Sequence, residues 1–376
     1  MRIQTKLLFL LLVFTNILSS FIMLYAYADI VPSDRRIDWS EVGVEGGIPT
    51  RTAIRNCVIS DGAHADGTDT SAQIQSCIDK APSDGVAYLP AGTYILGASI
   101  RLKSNKTLRG EGKDSTILLA DDLSYAVMIG TEYAALPAIN IISGYAKGSY
   151  QLVLTDASSI KVNSYVRVDE LNDPNIPVTN TGVGTCTWCG RDNGTRVRGQ
   201  IVKVTAKNGN TITISPAMYF TFSSSNIPQV QPVGAPTSSG MSAEYCGIED
   251  LTIKNNWRPS KVKGTDNKEY SAMKTHTSSS DGSNRPITGA SWVWYWVKTG
   301  EDGSAEPSWQ PNTSYNGDYT KSRIPLNIAL SANCWVKNIK IDTCGSRCIQ
   351  LFYNNYRFEL RDSYISQCIN RQDSNN

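Results

Sequence analysis

The spacing of apolar residues changes from a helical to a strand-like pattern within residues 66–119. Ile74, Cys77 and Ile78 fall at i, i+3 and i+4 behind good N-cap residues, which predicts an amphipathic helix. Short β-type runs follow, separated by Gly, Pro, Asn or Asp, at 86–89, 93–96, 99–102, 107–109 and 116–119. Strands this short, with no helix between them, are typical of a sandwich, a barrel or a β-solenoid.

Three motifs in this region share an order and spacing with a known family. Asp66-Gly-Thr-Asp-Thr70 precedes the helix, Gly-Val-Ala-Tyr-Leu-Pro-Ala-Gly-Thr-Tyr spans 85–94, and Thr-Leu-Arg-Gly-Glu-Gly-Lys-Asp-Ser-Thr-Ile-Leu spans 107–118. Together they resemble the N-terminal part of the pectate-lyase superfamily. The resemblance implies an all-β fold, a right-handed parallel β-helix, in which the N-terminal helix covers the first open strand edge. An ordinary β-sandwich is the alternative.

The predicted solenoid is interrupted by two insertions. Asn208-Gly209, between two apolar runs, is a strong hairpin signal and indicates an antiparallel β-subdomain. A second insertion is polar and rich in Gly, Ser and Trp. The resulting division is a signal peptide at 1–28, a cap with a short helix at 29–83, first coils at 84–142, an antiparallel insertion at 143–235, one coil at 236–256, a Trp-rich insertion at 257–325 and further coils at 326–376.

The coil repeat is visible in three segments that superpose on one another: 248–256, 336–344 and 360–368. Their first and sixth positions are apolar, as an inward-facing row requires, and a period of about 24 residues suits one β-helix turn. Asp250, Asn338 and Asp362 share the third position, which we interpret as a turn. The chain ends soon after the third segment without a capping helix, so we expect the N-terminal portion of a longer β-helix.

The same alignment stacks Cys246 on Cys334 and Cys344 on Cys368, since parallel strands ~4.8 Å apart are within disulfide reach. Nine cysteines in an exported chain favour disulfides and leave at least one thiol unpaired. For the CxxC at 186–189, a loop disulfide is favoured over a redox or metal centre, because no second Cys or His pair accompanies it. The disulfide candidates are Cys57, Cys77, Cys186, Cys189, Cys246, Cys334, Cys344 and Cys368.

Residues 1–28 have the features of a signal peptide. Arg2 and Lys6 precede an apolar run, and Ala26-Tyr-Ala28 is a small-x-small cleavage site. Secretion to the periplasm or the medium is therefore expected, with an uncleaved anchor as the alternative. Removal of two positive charges changes the formal net charge from +2 (36 minus 34) to zero (34 minus 34). A chain without net charge is not expected to attract nucleic acid. After the signal peptide is cleaved, it is not expected to bind a membrane either.

Five of the eight tryptophans fall in the second insertion: Trp257, Trp292, Trp294, Trp296 and Trp309. Strand alternation over 292–296 would place three indoles on one face. Flat apolar rings with a polar N–H at the edge suit a sugar, so we predict that these residues bind substrate. The alternative is that they form the core of the insertion itself.

The sequence contains no recognisable catalytic motif. The superfamily's paired aspartates, its Gly-His-Gly motif and its calcium-binding aspartate cluster are missing, and only two histidines, His64 and His276, are present. Asp250 and Asp362 are weak catalytic candidates, because Asp is also favoured in turns. The resemblance implies a polysaccharide partner and either a lyase or hydrolase of an acidic, plant or microbial glycan, or a non-catalytic glycan-binding β-helix. No cofactor is expected, except Ca²⁺ if the protein is a lyase.

Overall fold

The computed structural model describes residues 42–121, 123–131, 136–174, 179–180, 184–185, 190–235, 238–256, 259–272, 276–292, 295–315, 324–344, 347–352 and 354–368. The predicted signal peptide therefore lies outside the described residues. Within these ranges, no helix is long and apolar enough to cross a membrane.

Three parallel sheets form the body of the protein. Sheet A comprises Ile54–Asn56, Gly85–Leu89, Lys106–Gly110, Gly247–Glu249, Trp335–Lys337 and Glu359–Arg361. Sheet B comprises Gly92–Leu96, Thr116–Ala120, Thr252–Asn255, Lys340–Cys344 and Tyr364–Cys368. Sheet C comprises Ile100–Leu102, Tyr125–Ile129, Ile324–Ala329 and Ile349–Phe352.

The chain visits the sheets in the order A, B, C and then returns to A, so each circuit is one coil of a parallel β-helix. The register stacks Ile248 on Val336 and Val336 on Leu360. Ile253 likewise stacks on Ile341. These pairings reproduce the alignment of the three sequence segments. The inward rows bury their aliphatic side chains in one continuous core, except in the last described coil, where Leu360 and Ile365 are exposed. The all-β, parallel-sheet part of the prediction is confirmed.

Two helices lie near the first coil. Helix α1, Cys57–Asp61, is capped by the Asn56 side chain. Helix α2, Ser71–Lys80, buries Ile74, Cys77 and Ile78 in the solenoid core, as its apolar spacing requires. A disulfide between Cys57 and Cys77, with Cα atoms 5.2 Å apart, joins the two helices.

Between the second and third coils the chain forms a closed antiparallel barrel. Its strands are Ile139–Ser143, Gln151–Leu154, Tyr165–Asp169, Gly199–Asn208, Thr211–Ser215 and Gln229–Pro232. Strand alternation fills its interior with Val, Ile and Leu side chains, which form a separate core. The apolar run at 139–142, which the sequence pattern places in the first coils, is the first barrel strand instead. The pattern does not separate the two cases, because a short apolar run looks the same in a coil and in a barrel.

The second insertion leaves the solenoid between the sheet B and sheet C strands of the third coil. It contains an antiparallel sheet of Lys261–Lys263, Glu269–Ala272 and Trp296–Gly300, and a ladder of His276–Thr277 with Ser314–Tyr315. Shorter elements elsewhere are the ladders Thr179–Asn180 with Gly184–Thr185, Gly234–Ala235 with Ser238–Ser239 and Ala243–Glu244 with Ser331–Ala332, and the 3-10 turn Ser224–Asn226.

Candidate active site

The structure places Asp250 and Asp362 in a ladder of identical turns. Asp250, Asn338 and Asp362 all have positive φ, at 56°, 50° and 53°. Asp and Asn are the residues other than Gly that best tolerate this left-handed conformation. The Asn338 side chain lies between the two aspartates along the stack and donates to Asp250 Oδ1 at 2.6 Å. The turn therefore accounts for the residue type at all three positions, and a catalytic role for either aspartate stays a prediction.

The described tryptophans of the second insertion pack inside that insertion. Trp296 is fully buried and its indole N–H donates to Asn284 O at 2.8 Å. Trp309 is 8% exposed, and Trp292 packs against the same cluster. Trp292 lies outside the strand Trp296–Gly300, so these two indoles do not share a strand face. These rings contact the core of the insertion, and Trp257 and Trp294 lie outside the described residues.

The two cysteine pairs that the coil alignment predicts differ in their bonding. Cys246 and Cys334 are both buried thiols with Sγ atoms 3.0 Å apart, and a disulfide between them stays a prediction. Cys344 pairs in register with Cys368 but is bonded to Cys348 instead, with Cα atoms 5.1 Å apart. The alignment of coils could not anticipate this bond, because it closes a local loop. Cys186 and Cys189 lie outside the described residues.

A group of acidic and phenolic side chains meets where the barrel touches the solenoid. We define the junction cluster as Glu45, Tyr165, Lys203, Glu244 and Tyr245. Tyr165 and Lys203 are register partners on adjacent barrel strands. Glu244 and Tyr245 lead into the sheet A strand of the third coil, and Glu45 comes from the segment at 42–53. Three separate parts of the chain therefore converge.

Hydrogen bonds and an ion pair connect these side chains. The Tyr165 hydroxyl donates to Glu244 Oε2 at 3.3 Å, and the Tyr245 hydroxyl donates to Glu45 Oε2 at 3.4 Å. Lys203 Nζ lies 3.6 Å from Glu45 Oε2. The cluster thus contains two carboxyl groups, each with a tyrosine donor, and one ammonium group beside them.

The backbone of Glu244 is fixed on both sides. Its N–H donates to Ser104 Oγ at 3.0 Å, and its carbonyl accepts from the Asn105 N–H at 2.8 Å. Glu244 also pairs in a parallel ladder with Ala332. A functional group held on a rigid backbone keeps its geometry better than one on a free loop.

The environment makes the Glu244 carboxyl group easier to protonate than a free glutamate. Burial raises the pKa of Glu244, while the Tyr165 hydrogen bond and the nearby Lys203 charge oppose the rise. Burial also raises the pKa of Tyr165, which therefore stays a neutral donor. A carboxyl pKa raised above its usual range suits a general acid, and shifted pKa values cluster at functional sites.

The segment at 42–53 crosses sheet A and brings Glu45 to the junction. The Glu45 N–H donates to Asn333 Oδ1 at 3.0 Å. Farther along, one Arg51 guanidinium nitrogen donates to Tyr245 O at 2.6 Å, and the guanidinium lies 5.2 Å from the Trp335 ring centroid. Arg51 is only 4% exposed, so it anchors the segment against the outer face of the solenoid.

Sequence reasoning missed the junction cluster entirely. Tyr165 and Glu244 are 79 residues apart, and Glu45 and Tyr245 are 200 apart. The barrel docks on the coils through tertiary contacts alone. No local sequence motif therefore indicates that these side chains lie together. Within the described ranges, no group of three or more His, Cys, Asp or Glu residues is placed to hold a metal ion. We therefore derive no step through Ca²⁺.

Comparison with known proteins identifies the family. The model of the "Rhamnogalacturonase A/epimerase, pectate lyase-like" family matches residues 54–297, more than half of the chain, so the protein belongs to this family. The resemblance seen in the sequence motifs is confirmed. No curated protein matches the sequence.

Solved structures resemble the chain at low identity. The tailspike gp49 from Pseudomonas phage LKA1 is 14% identical over 78% of this chain, with a TM-score of 0.40. The Gp54 tailspike of Acinetobacter baumannii bacteriophage AP22 is 10% identical over 83% (TM-score 0.37), and the Yersinia enterocolitica family 28 exopolygalacturonase is 12% identical over 84% (TM-score 0.33). The chain spans 35%, 45% and 44% of these three structures, respectively.

Proposed function

We propose that this protein hydrolyses glycosidic bonds in an acidic polysaccharide, with Glu244 as the general acid. The observation that carries the proposal is the half-buried Glu244 carboxyl, whose pKa is raised and which accepts a hydrogen bond from Tyr165. Membership in a carbohydrate-active, pectate lyase-like family supports the substrate class. Hydrolysis of a glycosidic bond needs two carboxyl groups in different protonation states. Glu45, beside the Lys203 ammonium, is the second one.

The proposed step conserves atoms and protons. The Glu244 carboxyl donates its proton to the glycosidic oxygen as the bond from that oxygen to the anomeric carbon breaks. Water attacks the anomeric carbon, and the Glu45 carboxylate accepts the proton that the water loses. Proton exchange with solvent then restores both groups. Tyr165 positions the Glu244 carboxyl, and Tyr245 holds Glu45 through its hydroxyl.

Positive charge near the cluster supports an acidic substrate. Lys203 lies beside Glu45, and Arg357 Nε donates to the Tyr356 hydroxyl at 3.1 Å. The Tyr356 ring packs on the Tyr165 ring with centroids 5.0 Å apart, which brings Arg357 to the same side of the junction. A uronate carboxylate would be attracted to these two cations. The signal-like residues 1–28 support secretion, where such a polymer would be met.

Product analysis in ¹⁸O-labelled water tests this function. Purified protein should release fragments from rhamnogalacturonan or polygalacturonate, and each new reducing end should carry one ¹⁸O. Elimination would instead give an unsaturated, ultraviolet-absorbing end without the label. That product would identify the protein as a lyase and contradict the proposed hydrolysis. Binding to the polymers without any product would leave a non-catalytic glycan-binding protein.

A further inference from the structure

The barrel carries exposed aromatic rings, one of them close to a basic side chain, on residues outside the junction cluster. Tyr150 is 60% exposed and Phe220 is 40% exposed. The Arg198 guanidinium lies 5.9 Å from the Phe220 ring centroid and 5.3 Å from that of the buried Phe222. We call Lys147, Tyr150, Arg198 and Phe220 the barrel strip.

Backbone hydrogen bonds fix the relative positions of these residues. The Met218 N–H donates to Ser149 O at 2.9 Å, and the Phe222 N–H donates to Tyr145 O at 3.0 Å. Residues 145–150 therefore run antiparallel to 218–222, which places Phe220 across from Lys147. Tyr150 follows a turn in which the Ser149 N–H donates to Ala146 O at 3.0 Å. Two exposed rings on these paired segments offer contacts for a glycan chain.

Arg198 is held in place by a buried acid. Its guanidinium donates to Glu170 Oε1, and the Glu170 side chain is 0% exposed. The other Glu170 oxygen accepts the Ser223 N–H at 2.8 Å. The Arg198 side chain is itself 28% exposed, so its position is fixed while part of it faces solvent. Lys147 is also exposed, so the strip presents two cationic side chains beside its rings.

We propose that the barrel strip is a second glycan-binding site, which takes one chain of an acidic polysaccharide. Tyr150 and Phe220 would stack on sugar faces, and Lys147 and Arg198 would attract the uronate carboxylates. The polymer class rests on the proposed function, but the binding does not require cleavage. The strip would hold a long substrate while the junction cluster acts on it.

The test measures binding of polygalacturonate by the full chain carrying Glu244→Gln, so that cleavage does not interfere. Adding Tyr150→Ala and Phe220→Ala should weaken binding about tenfold or more, because two ring contacts are lost. Tyr150→Phe should keep the affinity, since the ring remains, and Phe220→Leu should lose it while keeping apolar bulk. Val162→Ala is the matched control, because Val162 is another exposed apolar residue of the barrel at 46% exposure.

The outcomes separate the two proposals. Unchanged polygalacturonate binding in a folded double variant would overturn the proposal that the barrel strip binds glycan. This holds whether or not the wild-type protein cleaves the polymer. A wild type that cleaves nothing but loses binding in the double variant would overturn the hydrolase and keep the strip. A double variant that changes oligomeric state by light scattering, with glycan binding intact, would make the strip a self-association surface and overturn its role in glycan binding.

Discussion

Glu244→Gln is expected to abolish most hydrolysis while leaving substrate binding intact. The amide keeps the size of the side chain and can still accept the Tyr165 hydrogen bond, but it has no acidic proton to transfer to the leaving oxygen. General acid catalysis contributes about 10²–10⁴ in rate, so kcat should fall by that factor with little change in affinity. Reducing-end release gives the rate, and binding of a non-cleaved oligosaccharide gives the affinity.

Asp250→Asn and Asp362→Asn are the matched controls. Each replaces a carboxyl by the residue that the same turn already uses at Asn338, so the fold should be retained. Both variants should keep wild-type rates if the junction cluster carries the chemistry. Full activity in Glu244→Gln, or loss of activity in either Asp variant, would show that the active site is not the junction cluster.

Asp169→Asn should destabilise the barrel by about 3–5 kcal/mol, because it removes the buried charge that one buried and two partly buried guanidinium groups share. Asp169 is 1% exposed and contacts Arg191 at 2.6 Å and Arg196 at 3.2 Å. Arg167 Nε lies 3.3 Å away. Denaturant unfolding gives the loss, and hydrogen exchange should locate it in the strands Tyr165–Asp169 and Gly199–Asn208.

Asp192→Asn is the control for this second prediction. Asp192 contacts the same Arg191 and Arg196, at 3.2 and 3.6 Å, but its side chain is 54% exposed. An exposed ion pair contributes about 0–1 kcal/mol, so this variant should differ little from wild type. Equal losses in the two variants would show that burial of Asp169 is not what stabilises the barrel.

The solenoid could be predicted from the sequence because its information is local and repeated. Each coil contains short apolar runs separated by turn residues, and aligning Ile248, Val336 and Leu360 reproduced the register of sheet A. The helix at Ser71–Lys80 follows from the spacing of three apolar residues. These features need no knowledge of distant contacts.

Other features depend on tertiary contacts that no local pattern records. The barrel begins at Ile139 because that strand pairs with Gln151–Leu154 and Gln229–Pro232, and its sequence does not distinguish this from a coil. Trp296 lies in an alternating sequence that would also suit an exposed strand face, but its side chain is fully buried in the insertion. Tyr165 and Glu244 meet only because the barrel docks on the third coil. The candidate site was therefore beyond sequence reasoning.

The pH dependence of kcat/KM for Tyr165→Phe tests most directly whether Glu244 is the acid. The protonated form is the active one, so activity should fall as pH rises through the pKa of Glu244, which burial has raised. The Tyr165 hydrogen bond lowers that pKa, so its removal should move the alkaline limb to higher pH. Tyr245→Phe, which loses a bond to Glu45 instead, should leave the limb in place. An alkaline limb that stays at the wild-type pH in Tyr165→Phe would contradict the assignment of Glu244.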